Sequence, residues 1–265
     1  MLQDALSSPL LQELCKRTDG FVFDVRASLP STNVLLKEMA RESPALPEGY
    51  VLLAESQSQG HGRFERVFSS PKGGVYMSVL LRPSLPAAKA VLLTAAAAVA
   101  VAEAAEELTK EPFSIKWVND VYQNGRKIAG ILTEGALTPD GALAYAVLGI
   151  GINVLPPKQA HPQELSSIVG TVFKEKAPLP DNPRAQMAAL VLERFWHYYT
   201  ALDQKSFLEG YRSRSLLTGK IVKATIGDMQ KEVTVLGIDE DCRLLVKDKD
   251  GVNISLQSGE VSLSF

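Results

Sequence analysis

The chain has 265 residues, 46% of them apolar and 22% charged, a balance that excludes a disordered chain, a collagen-like chain and a coiled coil. Its 28 Lys and Arg against 30 Asp and Glu leave a formal net charge of −2, so no global positive field is available to hold duplex DNA or an anionic membrane. Two cysteines, Cys15 and Cys242, and three dispersed histidines provide neither a disulfide framework nor a zinc-ligand spacing, which predicts a cytoplasmic protein with no fixed metal site.

Residues 1–18 read as a short amphipathic helix; Asp4 comes early and no basic start precedes an apolar core, so no signal peptide is expected. Residues 21–25 read as a strand. Ser31-Thr32-Asn33 ahead of Val34, Leu35, Leu36 and Met39 is a helix start. Residues 50–54 predict a buried strand and residues 75–81 another. Between them, residues 57–74 form a long polar stretch holding Gly60, Gly62, Gly73 and Gly74. Loops of such length are uncommon and often functional.

An alanine-rich helix is predicted over residues 87–108. Its charge-free run, residues 90–102, is shorter than the roughly 18 residues of a membrane span. Residues 113–117 predict a short strand, and Asn124-Gly125 a tight hairpin before a strand over residues 128–133. The nearly continuous apolar run 142–154 predicts a strand covered on both faces. Asn182-Pro183 opens an amphipathic helix with Met187, Leu190, Val191, Phe195 and Tyr198 at helical spacing. After about residue 215, short β-type runs are broken by Gly227-Asp228, residues 239–241, residues 248–251 and Ser258-Gly259, the texture of a small barrel. The expected architecture is α+β, with domains 1–215 and 216–265.

Several chemistries are missing. There is no G-x-x-x-x-G-K-[ST] phosphate loop, no H-E-x-x-H and no G-x-S-x-G. Gly60-His61-Gly62 and Gly149-Ile150-Gly151 both lack the third glycine of a dinucleotide fingerprint. What remains is a glycine-bearing loop with Arg63, Arg66 and Lys72 against Glu65, a local positive charge suited to an anion. Lys127 stands at the mouth of an apolar strand, where a lysine either snorkels or presents a fixed charge to a reacting centre. Asn153 closes a buried run, where its amide needs partners.

In their order and spacing these segments resemble the biotin protein ligases. The resemblance runs from about residue 24 to the end. It rests on Ser31-Thr32-Asn33; on Gln57 with Gly60-His61-Gly62-Arg63-Phe64-Glu65-Arg66; and on Ser70-Pro71-Lys72-Gly73-Gly74. It continues through Lys116-Trp117-Val118-Asn119-Asp120, Lys127-Ile128-Ala129-Gly130-Ile131-Leu132-Thr133-Glu134 and Gly149-Ile150-Gly151-Ile152-Asn153. The resemblance implies a mixed sheet with flanking helices, of the class II synthetase-like kind, followed by a small SH3-like β-barrel. It implies ATP, Mg²⁺ and biotin, and a biotin carboxyl carrier domain as acceptor. Lys127 and Arg63 are the implied catalytic cations. Ser31, Thr32, Asn33, Gln57, His61, Gly62 and Gly130 join them in the biotin site. Arg66, Phe68, Lys116, Asn119, Asp120 and Asn153 are implied at the adenylate. His61 and Glu65 stand where the family has Arg and Gly, Phe68 where Trp is common, and Val118 where Pro is common.

Some family members carry a DNA-binding winged helix. Only about two dozen residues precede the first catalytic strand here, so no DNA binding is expected. Monomer and homodimer both stay open. Two rival readings are a lipoate or octanoate ligase and a catalytically weak biotin-binding relic.

Overall fold

The computed structural model describes residues 4–15, 20–157, 163–165, 167–226, 229–257 and 261–263, with no side-chain detail for Glu65, Gln163 or residues 261–263. The breaks expected at Gly227-Asp228 and Ser258-Gly259, and parts of the predicted N-terminal helix, lie outside these residues.

Helix α1 (Ser8–Leu14) precedes β1 (Val22–Arg26), α2 (Thr32–Glu42), β2 (Tyr50–Ala54) and β3 (Val75–Leu81). Then follow α3 (Val91–Thr109), β4 (Ser114–Lys116), β5 (Asp120–Gln123), β6 (Arg126–Leu137) and β7 (Leu143–Ile152). These strands form one seven-stranded sheet in the order β1-β2-β3-β7-β6-β5-β4. The β1–β2 pair is parallel and the others antiparallel, so the sheet is mixed.

Alternation along the central strands sorts side chains to two helical layers. Leu52, Leu80 and Val147 meet Leu36 and Ala40 of α2. Val51, Leu53, Val79, Leu81 and Leu148 join the larger core with α3 and α4 (Pro183–Thr200). Strand β7 lies between β3 and β6 with residues 146–150 buried, which accounts for its unbroken apolar run. The β5–β6 hairpin turns at Asn124 (φ 50°) and Gly125 (φ 76°), both left-handed as a type I′ turn requires.

The alanine-rich segment opens with a 3₁₀ turn (Ala87–Lys89) before α3 proper. By length and composition this stretch could cross a membrane. It serves instead as a core helix, with residues 92–102, Ala104 and Ala105 all buried. Small side chains let the helix sit close to both the sheet and α4.

The N-terminal segment is tied down rather than trailing. Arg184 Nε of α4 donates to Asp4 Oδ2 at 2.7 Å, and Ala5 N donates to Asn182 Oδ1 at 2.9 Å. Helix α5 (Leu208–Ser213) leads to the second sheet, formed by β8 (Ile221–Ile226), β9 (Met229–Ile238), β10 (Leu244–Lys247), β11 (Asn253–Leu256) and β12 (Val261–Leu263). It is antiparallel, in the order β11-β10-β9-β8-β12. Hydrogen bonds from the loop that follows β4 and from α5 are among those that join this small β-unit to the main body. Trp117 Nε1 donates to the Cys242 carbonyl at 2.9 Å, and Arg212 Nε to the Ile238 carbonyl at 2.9 Å. Trp117 is thereby held as a buried core residue, 4% exposed.

Candidate active site

Glycines on β6 and β7 open a gap in the sheet face. Gly130 pairs with Gly151 across the two strands. A Cβ on Gly151 would lie 2.5 Å from the Phe68 ring, and one on Gly130 would lie 3.1 Å from it. A Cβ on Gly149 would lie 2.2 Å from Asn33 Oδ1. Real Cβ atoms essentially never approach within 3.0 Å, so the missing side chains at Gly151 and Gly149 are what allow Phe68 and Asn33 to sit on the sheet, while a Cβ on Gly130 would be a tight fit.

Above this gap is a cavity of about 300 Å³. Its wall includes Ser31, Thr32, Asn33, Gln57, His61, Gly62, Arg63, Arg66, Phe68, Lys116, Asn119, Asp120, Lys127 and Gly130. Residues spread over a hundred positions of sequence are thus brought to one place. Asn153 is the exception. It lies outside the lining, buried beyond the end of β7, where its backbone donates to Ile128 O and accepts from Val172 N.

The loop of residues 57–74 is folded on itself rather than open. Gly62 N donates to Arg66 O at 2.7 Å and Phe68 N to Gly60 O at 2.8 Å. A 3₁₀ turn (Arg63–Glu65) sits at its tip, with Phe64 in the left-handed region at φ 54°. Arg63 Cζ lies 5.0 Å from the centroid of the exposed Phe64 ring. The His61 imidazole turns back through Nδ1 onto Gln59 O of its own loop.

The two implied cations are anchored on neighbouring residues. Arg63 Nη1 lies 3.5 Å from Asn119 Oδ1, a long hydrogen bond, and Lys127 Nζ lies 2.7 Å from Asp120 Oδ1. Asn119 is itself locked to β6, its Nδ2 donating to Ile131 O at 2.9 Å and its carbonyl accepting from Ile131 N at 2.9 Å. The Lys127–Asp120 contact is an ion pair off the hydrogen-bonding direction: Asp120 Oδ1 is buried and accepts no aligned hydrogen bond. Lys127 Nζ also stands 5.9 Å from the Phe68 centroid, and Tyr76 meets Phe68 edge-on at 6.4 Å.

The other end of the cavity is neutral and polar. Ser31 caps α2, accepting from Val34 N at 3.5 Å. Gln57 Oε1 accepts from Thr32 N at 2.8 Å and lies 3.1 Å from Thr32 Oγ1, while Gln57 Nε2 donates to Ser70 Oγ at 2.9 Å. Ser78 Oγ is 2.8 Å from Thr32 Oγ1 and 2.6 Å from Asn33 Oδ1. Asn33 Nδ2 donates to Glu134 Oε2 at 2.9 Å and to Leu132 O at 3.3 Å. Burial alone would raise the Glu134 pKa, but hydrogen bonds from Lys37 and Asn33 outweigh it and hold this carboxyl below its ordinary value.

A model of the biotin/lipoate A/B protein ligase family matches residues 25–153, and one of the biotin protein ligase C-terminal domain matches residues 217–264. The bifunctional ligase/repressor BirA of Bacillus subtilis is 32% identical over 237 residues, 89% of this chain and 72% of that protein. The solved biotin protein ligase of Aquifex aeolicus in complex with biotin and ATP has a TM-score of 0.74 at 30% identity, covering 91% of this chain and 98% of that one. This chain belongs to the biotin protein ligase family. A further relative, the biotin–[acetyl-CoA-carboxylase] ligase of Mycobacterium tuberculosis, is 28% identical over 90% of this chain and 87% of its own length.

Around the cavity stand further residues to which the motifs alone assign no role. Ser78 and Glu134 stand behind Thr32 and Asn33. A serine interrupting the apolar run of β3 was the available signal for Ser78. Lys223 and Thr225 of β8 and Gln230 of β9 also line the cavity. Nothing local in their sequence marks them, because only the packing of the small β-unit brings them there.

Proposed function

We propose that this biotin protein ligase activates biotin with ATP and passes the biotinyl group to one lysine of a biotin carboxyl carrier domain. A biotin carboxylate oxygen attacks the α-phosphorus of ATP. The P–O bond to pyrophosphate breaks, and biotinyl-5′-AMP forms. The acceptor lysine amine then attacks the acyl carbon, AMP leaves, and the amine gives up its proton. The observation that carries this reading is the convergence of Arg63 and Lys127 on the adjacent Asn119 and Asp120, in a cavity whose far end is neutral and polar.

The first step pushes a carboxylate against a polyphosphate. Two unit charges 4 Å apart repel by about 4 kcal/mol at an effective dielectric of 20. Lys127 and Arg63 offset that repulsion, and preorganised cations cost no rearrangement as charge develops. Phe68 supplies a ring for the adenine beside Lys127.

Among the described residues no cluster of three or more His, Cys, Asp or Glu could hold a metal ion, and Asp120 is the sole carboxylate of the lining. That donor set fits a Mg²⁺ that arrives on the polyphosphate, with Asp120 as its protein oxygen, and supplies charge neutralisation there.

The polar wall of Thr32 and Gln57 favours a cyclic urea over the apolar tail of lipoate or octanoate, which would leave those groups unpaired. Pyrophosphate release measured with ATP and each of the three acids separates the readings. Turnover with biotin alone is the expected outcome. Turnover with lipoate or octanoate supports the rival ligase, and none with any acid supports a binding relic.

Arg63→Gly removes one charged contact from the adenylate, worth about 1.5–3 kcal/mol. Release of biotinyl-AMP should accelerate at least about 10-fold, with more labelling of bystander lysines. Unchanged adenylate retention in a filter-release assay would remove Arg63 from the proposed site.

A further inference from the structure

A partly buried chain of hydrogen bonds runs behind the polar end of the cavity. It starts at Lys37, which pairs with Glu134 Oε1 at 2.5 Å, passes through Asn33 and Ser78 to Thr32, and ends at Gln57. Its direction can be read from donor and acceptor chemistry. The Glu134 carboxylate and the Leu132 carbonyl only accept, so Asn33 must turn Nδ2 towards them. Asn33 Oδ1 therefore faces Ser78, and the single Ser78 proton goes to it at 2.6 Å. Ser78 Oγ then has no proton left for Thr32 Oγ1, 2.8 Å away, and Gln57 Oε1, 3.1 Å from Thr32 Oγ1, only accepts, so the single Thr32 proton is held within the chain by one of these two oxygens.

We infer that Glu134, held by Lys37, is a positioning residue that sets the hydrogen-bond polarity of the biotin-binding end of the cavity. With the chain running this way, Thr32 offers lone pairs to a ligand N–H. Gln57 already binds Thr32 N through Oε1 and Ser70 through one N–H, and keeps its second N–H for a ligand carbonyl. One acceptor beside one donor is the complement of a cyclic urea. The inference rests on the biotin reading above. It adds that a carboxylate outside the cavity lining decides which way the lining presents its atoms.

Lys37 makes the inference testable, because an ammonium only donates. In Glu134→Gln, Lys37 claims the amide oxygen, and the new NH₂ faces Asn33. Asn33 must then flip and Ser78 must donate to Thr32, so one of the two Thr32 lone pairs is taken and the acceptor left for the ligand N–H is weakened. Adding Lys37→Met frees the introduced amide to turn its oxygen back to Asn33. Titration calorimetry with biotin should show Glu134→Gln binding about 10-fold more weakly. The Lys37→Met/Glu134→Gln double variant should recover to within about 3-fold of wild type, with ATP KM and kcat at saturating biotin unchanged. A double variant as weak as Glu134→Gln, or weaker, overturns the inference, since a merely structural role gives no rescue.

Ser78→Ala breaks the same chain one link further on and reads the effect independently of whether Glu134→Gln folds. A loss of about 5-fold is expected, and wild-type affinity in this variant also overturns the inference. Wild-type protein that binds biotin while Glu134→Gln binds it equally well removes this inference alone. Wild-type protein that binds no biotin removes the functional reading and this inference together.

Discussion

Replacing Lys127 by alanine should lower biotin-dependent pyrophosphate release by about 1,000-fold, on the order of 4 kcal/mol of barrier. Two effects combine. The cation that draws the carboxylate onto the phosphate is removed, and Asp120, now lacking its partner at 2.7 Å, repels the incoming acid. The fold should survive, because the backbone of Lys127 and not its side chain joins the neighbouring loop: its N donates to Ile168 O at 2.8 Å and its carbonyl accepts from Gly170 N at 2.9 Å. A single variant that turns over at the wild-type rate would take Lys127 out of the chemistry.

Gly149→Ala should damage the opposite end of the cavity as severely. The new methyl would stand 2.2 Å from Asn33 Oδ1, and β7 cannot retreat because it is paired on both sides, with β3 and β6. Asn33 must therefore leave the position in which it binds Glu134 and Ser78. Each buried hydrogen bond broken in this way costs about 1–3 kcal/mol, so biotin KM should rise about 100-fold while ATP KM stays near its wild-type value. Steady-state kinetics in both substrates decide the matter, and a biotin KM within 2-fold of wild type would show that Asn33 does not shape the biotin end.

These two substitutions mark where sequence was informative and where it was not. The elements with strong local signals appear where periodicity and turn chemistry predict them. Ser31 caps α2, Asn124-Gly125 turns the β5–β6 hairpin, and Asn182-Pro183 opens α4. Lys127 at the mouth of β6 was legible because a charge bordering an apolar run is conspicuous. Arg63 was legible because glycine and arginine share its loop. Gly149 and Gly151 carried no role beyond their motif block, and Gly130 came to the biotin site only through the resemblance. That they seat Phe68 and Asn33 depends on which side chains the fold brings over them, and no local pattern encodes this. Asn153 shows the converse: its motif block is adjacent to the site in sequence, yet it lies beyond the strand end and outside the cavity lining.

The contribution of the small β-unit was equally hidden. Lys223, Thr225 and Gln230 belong to strands whose alternation shows only a half-buried sheet. They reach the cavity because Trp117 and Arg212 fasten the main body to Cys242 and Ile238. The chain from Lys37 to Gln57 joins α2, β3, β6 and the loop after β2. Its members are individually ordinary polar residues, and their meaning lies in donor and acceptor directions that exist only after folding.

The most direct test of the account is a crystal structure of the protein with biotinyl-5′-AMP bound. The guanidinium of Arg63 and the ammonium of Lys127 should both lie within about 3.2 Å of oxygens of the acyl phosphate, with the ureido group against Thr32 and Gln57. An acyl phosphate found beyond reach of both cations, or a ureido ring seated away from Thr32 and Gln57, would contradict it.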